Sequence, residues 1–207
     1  MKKSTLALMV LCALALFAAA PKKGTGAAGK GKKVTTPRDY ANTLATLQTD
    51  MGDITLKFFY DKAPKHVENF VDLAAKGFYD GTMFHRVIPG FMVQGGDPLT
   101  KKEEDPARPY GTGGSEKKVK AEFNDTLHKR GILSMARSQD PNSASSQFFI
   151  VVKDSNFLDN QYSAFGEVVS GMEAADKIAA APRNSQDRPN QAIRIKKVLL
   201  TQAKSMS

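Results

Sequence analysis

Phe84-His85-Arg86-Val87-Ile88-Pro89-Gly90-Phe91-Met92-Val93-Gln94-Gly95-Gly96-Asp97 is the stretch on which the reading of this chain turns. Met83 to Ile88 and Met92 to Gly95 read as two strands broken by Pro89-Gly90, a turn signal. Successive side chains on a strand point to opposite faces, so Met92 and Gln94 share one face. The stretch sets one arginine and one glutamine among apolar side chains and holds neither a nucleophile nor a cluster of metal ligands. Such a set suits conformational catalysis better than bond cleavage. Further on, Ser146-Gln147-Phe148-Phe149-Ile150-Val151-Val152 alternates in the same way and puts Gln147, Phe149 and Val151 on one face. Each strand thus brings an amide and a large apolar group to a shared surface, which is suited to gripping a proline ring.

Working outward, Leu44 to Tyr60 reads as a hairpin around Asp50-Met51-Gly52-Asp53, with Ile54, Leu56 and Phe58 alternating against Thr55 and Lys57. Ala63-Pro64 opens a helical pattern in which Val67, Phe70, Val71 and Ala74 recur at helical spacing, and Gly77 ends it. Pro98 to Lys120 is a polar excursion with three prolines and Gly111-Thr112-Gly113-Gly114, expected to lie over or beside the site as a surface loop. Gly131 to Ala136, Gln147 to Val152, Phe165 to Val169 and Ile193 to Leu200 complete about eight short strands, and Met172 to Ala180 is a second helix. Many short strands with two helices predict an antiparallel barrel or sandwich.

The chain has 207 residues and a net charge of +9, which invites a nucleic-acid reading. The charge lies at the front. Lys2, Lys3, Lys22, Lys23, Lys30, Lys32, Lys33 and Arg38 precede the first acid, and without these eight only +1 remains of the net +9. No basic stripe interleaved with aromatics follows, so no nucleic-acid partner is expected. Residues 1–20 combine two early lysines with an apolar run from Leu6 to Ala20, the layout of an export signal, or secondly of a retained membrane anchor. Residues 21–38 are rich in Lys, Gly, Ala and Thr and read as a flexible basic linker, leaving residues 39–207 as the folded domain. The expected location is outside the cytoplasm, in a periplasm first, with secreted or membrane-tethered forms as the other readings.

The long stretch quoted first, then Gly111-Thr112-Gly113-Gly114, Gly131-Ile132-Leu133-Ser134-Met135-Ala136, Ser146-Gln147-Phe148-Phe149-Ile150 and Phe165-Gly166, resemble in order the signature segments of the cyclophilins, a family of peptidyl-prolyl cis-trans isomerases. The resemblance covers roughly Ala45 to Thr201. It implies a mainly β fold, an eight-stranded antiparallel closed β-barrel capped by two α-helices, with substrate in a groove on its outer face. It implies Arg86 as the catalytic residue and a proline pocket of Phe91, Met92, Phe149 and Leu158. It makes Gln94 and Gln147 substrate-holding amides, and has Gly111, Ala136 and Arg137 line the groove through their backbones. Three positions depart from the family pattern. Arg137 stands where many members have asparagine, Phe157 where cyclosporin-sensitive members have tryptophan, and Tyr162 where many have histidine; Phe157 and Tyr162 are still counted with the substrate-binding set.

Bland readings stand beside these. Phe91, Met92 and Phe149 can be core, the usual fate of large apolar residues in strands, and Arg86 can be a surface ion-pair partner. His85, one position out of phase with Arg86, reads as structural. His66 and His128 are scattered, so neither a metal nor another cofactor is expected. Ser134 and Ser146 lack an elbow motif and a paired base, which argues against covalent catalysis. The resulting expectation is an exported, monomeric, cofactor-free isomerase acting on proline-containing segments of unfolded or partly folded proteins. The rival reading is a proline-binding chaperone or adaptor with incidental turnover.

Overall fold

A computed structural model describes residues 39–101 and 109–203. The expected export signal, the linker and the Lys102 to Arg108 part of the polar excursion lie outside the described residues. The predicted hairpin consists of β1 (Thr43–Thr49) and β2 (Gly52–Phe58), with Thr49 opposite Gly52 across the turn. Ala45 and Leu47 on one strand, and Ile54, Leu56 and Phe58 on the other, are buried, as the alternation requires. The first helix, α1 (Pro64–Ala75), starts with proline in its first turn, where the missing N–H would have no partner in any case. It buries Val67, Phe70, Val71 and Ala74.

Six more strands follow: β3 (Arg86–Ile88), β4 (Met92–Gly95), β5 (Ile132–Met135), β6 (Phe148–Val151), β7 (Ala164–Ser170) and β8 (Ile195–Gln202). The second helix, α2 (Met172–Ala179), is entered through Gly171 at φ +89°, where a Cβ would collide with the Asp53 carbonyl oxygen. Only glycine fits that approach. All eight strands form one antiparallel sheet in the order β3-β4-β6-β5-β7-β2-β1-β8. The sheet curls around an interior that holds Phe70 and Val71 of α1, Ala175 and Ile178 of α2, and Phe148, Ile150 and Phe165 from the strands. Replacing a ring such as Phe70 by alanine would cost about 3–5 kcal/mol.

The barrel is less closed than the sequence reading held. No ladder joins β3 to β8; the seam is crossed by residues just before β3, with Gly81 N–H on the Ile195 oxygen (2.7 Å), Ile195 N–H on Thr82 (2.8 Å) and Phe84 N–H on Ile193 (2.9 Å). The reason is local. The outward N–H of Val87 in β3 donates to Asp187, in the loop before β8, at 2.8 Å, so that loop fills the place of a neighbouring strand.

The sheet has a second apolar cluster. Phe148 and Ile150 of β6 point into the barrel, while Phe149 and Val151 join Met92, Ile132, Leu158 and Ala164 in a cluster distinct from the interior one. Met92 and Phe149 are therefore not interior core. Their alternating neighbours are.

Candidate active site

Arg86 opens β3 directly opposite Gln94 of β4, and Gln94 in turn pairs with Phe149 of β6. This register delivers the three side chains in a row to one surface. With Phe91, Met92, Leu158, Tyr162, Ala136 and Arg137 they line an open hollow of about 110 Å³. Its floor is buried, with Met92 2% and Phe149 5% exposed, while the Arg86 side chain at the rim is 46% exposed. Phe149 is fixed from two sides, edge-on against Tyr162 at 5.8 Å and stacked on His128 at 6.3 Å. Arg86 is among the residues that line the hollow. Among the described residues the one carboxylate within ion-pairing distance of its guanidinium is Asp187, with Nε to Oδ2 3.8 Å, which is longer than a hydrogen bond.

The two glutamines play different parts. Gln147 has both amide hydrogens on main-chain carbonyls, Gly111 at 2.9 Å and Gly113 at 2.7 Å, and its oxygen accepts from Gln94 Nε2 at 2.9 Å. It acts as a strut between β6 and the glycine segment. Gln94 also lines a neighbouring hollow of about 190 Å³, together with Gly111, Ala136, Arg137 and Gln147. Ala136 gives its N–H to the Gln147 main-chain oxygen (3.0 Å), so its carbonyl is the group it offers to the groove. The Arg137 side chain is tied to the carbonyls of Gln161, Ser138 and Gln139 and lies over the Tyr162 ring at 4.7 Å. Phe157 does not line the hollow. It is 66% exposed at the rim, 5.3 Å from Phe91.

Two features escaped the sequence reading. Asp97, the last residue of the quoted stretch, is fully buried, and its carboxylate accepts N–H groups from Leu99 (2.8 Å), Gly111 (2.5 Å) and Gly113 (3.3 Å). A Cβ at Gly113 would collide with that carboxylate, which explains a glycine there. The signal was an acid placed after Gly95-Gly96 with a second glycine segment downstream. Ser134, read as lacking a base, in fact accompanies one. His128 Nε2 is 3.1 Å from its Oγ, and His128 Nδ1 is 3.1 Å from Asp159. Ser134 and His128 are both wholly buried under Phe149, so this row braces the floor and meets no substrate carbonyl. Burial holds His128 below the ordinary histidine range, against the pull of Asp159. His85 is likewise buried, and desolvation lowers its pKa despite nearby Asp97. Among the described residues no group of three or more His, Cys, Asp or Glu side chains is arranged to hold a metal ion.

Residues 44–199 match the family model described as cyclophilin type peptidyl-prolyl cis-trans isomerase/CLD. A peptidyl-prolyl cis-trans isomerase of Acinetobacter baylyi is 40% identical over 178 residues, spanning 81% of this chain and 88% of that protein. Peptidyl-prolyl cis-trans isomerase B of Escherichia coli is 41% identical over 174 residues, covering 77% of this chain and 100% of the relative. A solved structure of a Cryptosporidium parvum cyclophilin type isomerase, determined in the presence of the dipeptide Ala-Pro, superposes with a TM-score of 0.69 at 32% identity and covers 76% of this chain and 98% of that one.

Proposed function

The chain belongs to the cyclophilin-type peptidyl-prolyl cis-trans isomerases, and from that membership and the geometry of the hollow we propose that Arg86 drives rotation about Xaa-Pro bonds whose proline ring sits on Met92 and Phe149. The observation that carries this reading is the register Arg86, Gln94, Phe149 across three neighbouring strands, which sets a fixed donor at the rim of a buried apolar floor. The Ala-Pro dipeptide named with the Cryptosporidium structure supports a proline ligand for the same kind of groove.

An Xaa-Pro bond resists rotation because the nitrogen lone pair is conjugated with the carbonyl, a barrier of about 18–20 kcal/mol. Halfway round, conjugation is lost, the nitrogen becomes pyramidal and its lone pair can accept a hydrogen bond. The planar ground state has no such acceptor, so a guanidinium at that point binds the transition state in preference. Arginine keeps its proton at any working pH, so it donates without acting as an acid. A charged hydrogen bond contributes about 1.5–3 kcal/mol net, which at 1.36 kcal/mol per decade is roughly ten- to a hundredfold in rate. The remainder falls to the floor and the Gln147 strut, which hold ring and chain still and keep water from the turning bond.

The client chains are proline-containing segments of unfolded or partly folded proteins outside the cytoplasm. The two early lysines and apolar run of residues 1–20 support export, and the proposed enzyme is a monomer that needs no cofactor for a rotation in which no bond is made or broken. The test is NMR exchange on an Ala-Pro peptide with wild type and Arg86→Ala. A loss of about ten- to a hundredfold with unchanged folding is expected; near-normal turnover in the variant removes Arg86 from the mechanism.

A further inference from the structure

Asp187 stands behind Arg86 and belongs to neither the hollow nor the core. It lies in the loop between α2 and β8, which Asn184 organises. The Asn184 side-chain oxygen accepts the N–H groups of Gln186 (2.9 Å) and Arg188 (3.1 Å), and its main-chain oxygen accepts that of Asp187 (3.1 Å). Asp187 itself has φ +61°, a left-handed conformation that few residues other than Gly, Asn and Asp adopt. Its carbonyl takes the N–H of Val87, one residue past Arg86, at 2.8 Å. The loop thereby sets the height of the Asp187 carboxylate against β3. One carboxylate oxygen accepts from Arg183 Nε at 3.2 Å, and the other faces Arg86 Nε at 3.8 Å.

We propose that Asp187 is a positioning residue for Arg86: it holds the Nε edge of the guanidinium from behind, so that the two Nη groups are left for the proline nitrogen. A guanidinium is a flat fork with one N–H on its Nε edge and four on its Nη atoms, so a carboxylate at Nε restrains the plane and leaves four donors free. At 3.8 Å, with side chains 46% and 32% exposed, the pair is too loose and too wet to hold the fold together. Its effect is on direction. The carboxylate also reduces the positive field of Arg86, but that charge is shared with Arg183, so restraint outweighs attenuation. Among the described residues Asp187 is the one acid within ion-pairing distance of Arg86.

This inference rests on Arg86 acting on the proline nitrogen, and the test separates the two claims. In the full chain, Asp187→Asn keeps a residue that tolerates positive φ and keeps the carbonyl for Val87, but removes the charge. With an Ala-Pro peptide followed by NMR exchange, kcat is expected to fall about three- to tenfold, with tenfold corresponding to 1.36 kcal/mol, while KM stays near wild type. The Nε–Hε resonance of Arg86 should shift while the backbone amide of Val87, bonded to the Asp187 carbonyl, keeps its position; loosening of the loop would move both. In an Arg86→Ala background, Asp187→Asn should change turnover no further. Wild-type or raised kcat in Asp187→Asn overturns the proposal, as does an equal fall in both backgrounds, which would mark a loop that acts on the fold instead. If Arg86→Ala itself keeps full turnover, the catalytic reading and this one fail together; if only Asp187→Asn is silent, the catalytic reading stands alone.

Discussion

Asp97→Asn exchanges one carboxylate oxygen for an NH2 group and should undo much of the glycine segment. The carboxylate oxygens accept from Leu99 N–H on one side and from Gly111 and Gly113 N–H on the other, inside a fully buried environment. An asparagine has one acceptor oxygen and one NH2 group, so in either orientation its amide hydrogens meet at least one backbone N–H. A buried donor left without a partner costs about 1–3 kcal/mol, and the bonds that survive lose their charge assistance. Together the loss should be about 2–4 kcal/mol. For a domain of this size each kcal/mol moves Tm by about 2–4 °C, so a drop of roughly 5–15 °C is expected. The effect reaches the site, because Gly111 and Gly113 carry the carbonyls that hold Gln147, and Gln147 in turn holds Gln94. At temperatures where the variant is folded, kcat/KM on an Ala-Pro peptide should still be several-fold low. Thermal unfolding by circular dichroism, paired with the exchange assay, reads both. A Tm within about 2 °C of wild type would mean that the carboxylate is not the anchor inferred from its three donors.

Acid should destabilise the fold before its carboxylates titrate. Desolvation holds His66, His85 and His128 below the ordinary histidine pKa, so below about pH 6.5 the unfolded chain binds protons that the native one does not, and stability falls with pH; a Tm that is flat from about pH 7.5 to 5.5 contradicts this. Asp159, held low chiefly by the His128 N–H, adds its own loss only at lower pH, near the ordinary aspartate range. Phe149→Ala should empty the floor of the hollow. A loss of about 3–5 kcal/mol in stability is expected from chemical denaturation, with KM for an Xaa-Pro peptide raised more than kcat is lowered; an unchanged KM would put the ring's seat elsewhere.

Much of this architecture was legible because it rests on local rules. Ile54, Leu56 and Phe58 alternate and form β2, and Pro64 with Val67, Phe70, Val71 and Ala74 marks α1. Phe149 was expected on the same face as Gln147, and it lies there opposite Gln94. What was not legible depends on long-range pairing. Nothing local in Asp187 says that it will take the Val87 N–H and so leave the barrel seam without a ladder. Ser134 and His128 are six residues apart but meet only because β5 and the turn before it fold back under Phe149. The partners of Gln147 were equally hidden, because a sequence lists a side chain's donors without showing which main-chain carbonyls will meet them; here they are those of Gly111 and Gly113. The exposed placement of Phe157 was hidden for a similar reason, since it falls in a short 3₁₀ turn that directs Leu158 inward and leaves the phenylalanine at the rim.

A site that lowers a rotational barrier must be stiffer than its substrate, and the alternation on β4 and β6 supplies that stiffness. Met92 and Phe149 face the hollow, while Val93, Phe148 and Ile150, their neighbours in the chain, are locked in the interior with the helices. A shift of the floor by even part of an ångström would drag those side chains out of a close-packed core, where lost contacts are felt at the scale of single methylene groups. The hydrogen-bonded parts follow the same logic. Asp97 fixes the glycine segment, the glycine carbonyls fix Gln147, and Gln147 fixes Gln94, so the polar side of the groove is chained to a buried carboxylate. Arg86 is the exception. It is half exposed and lies outside both the core and this chain of bonds, and among the described residues its one ion-pairing contact is Asp187.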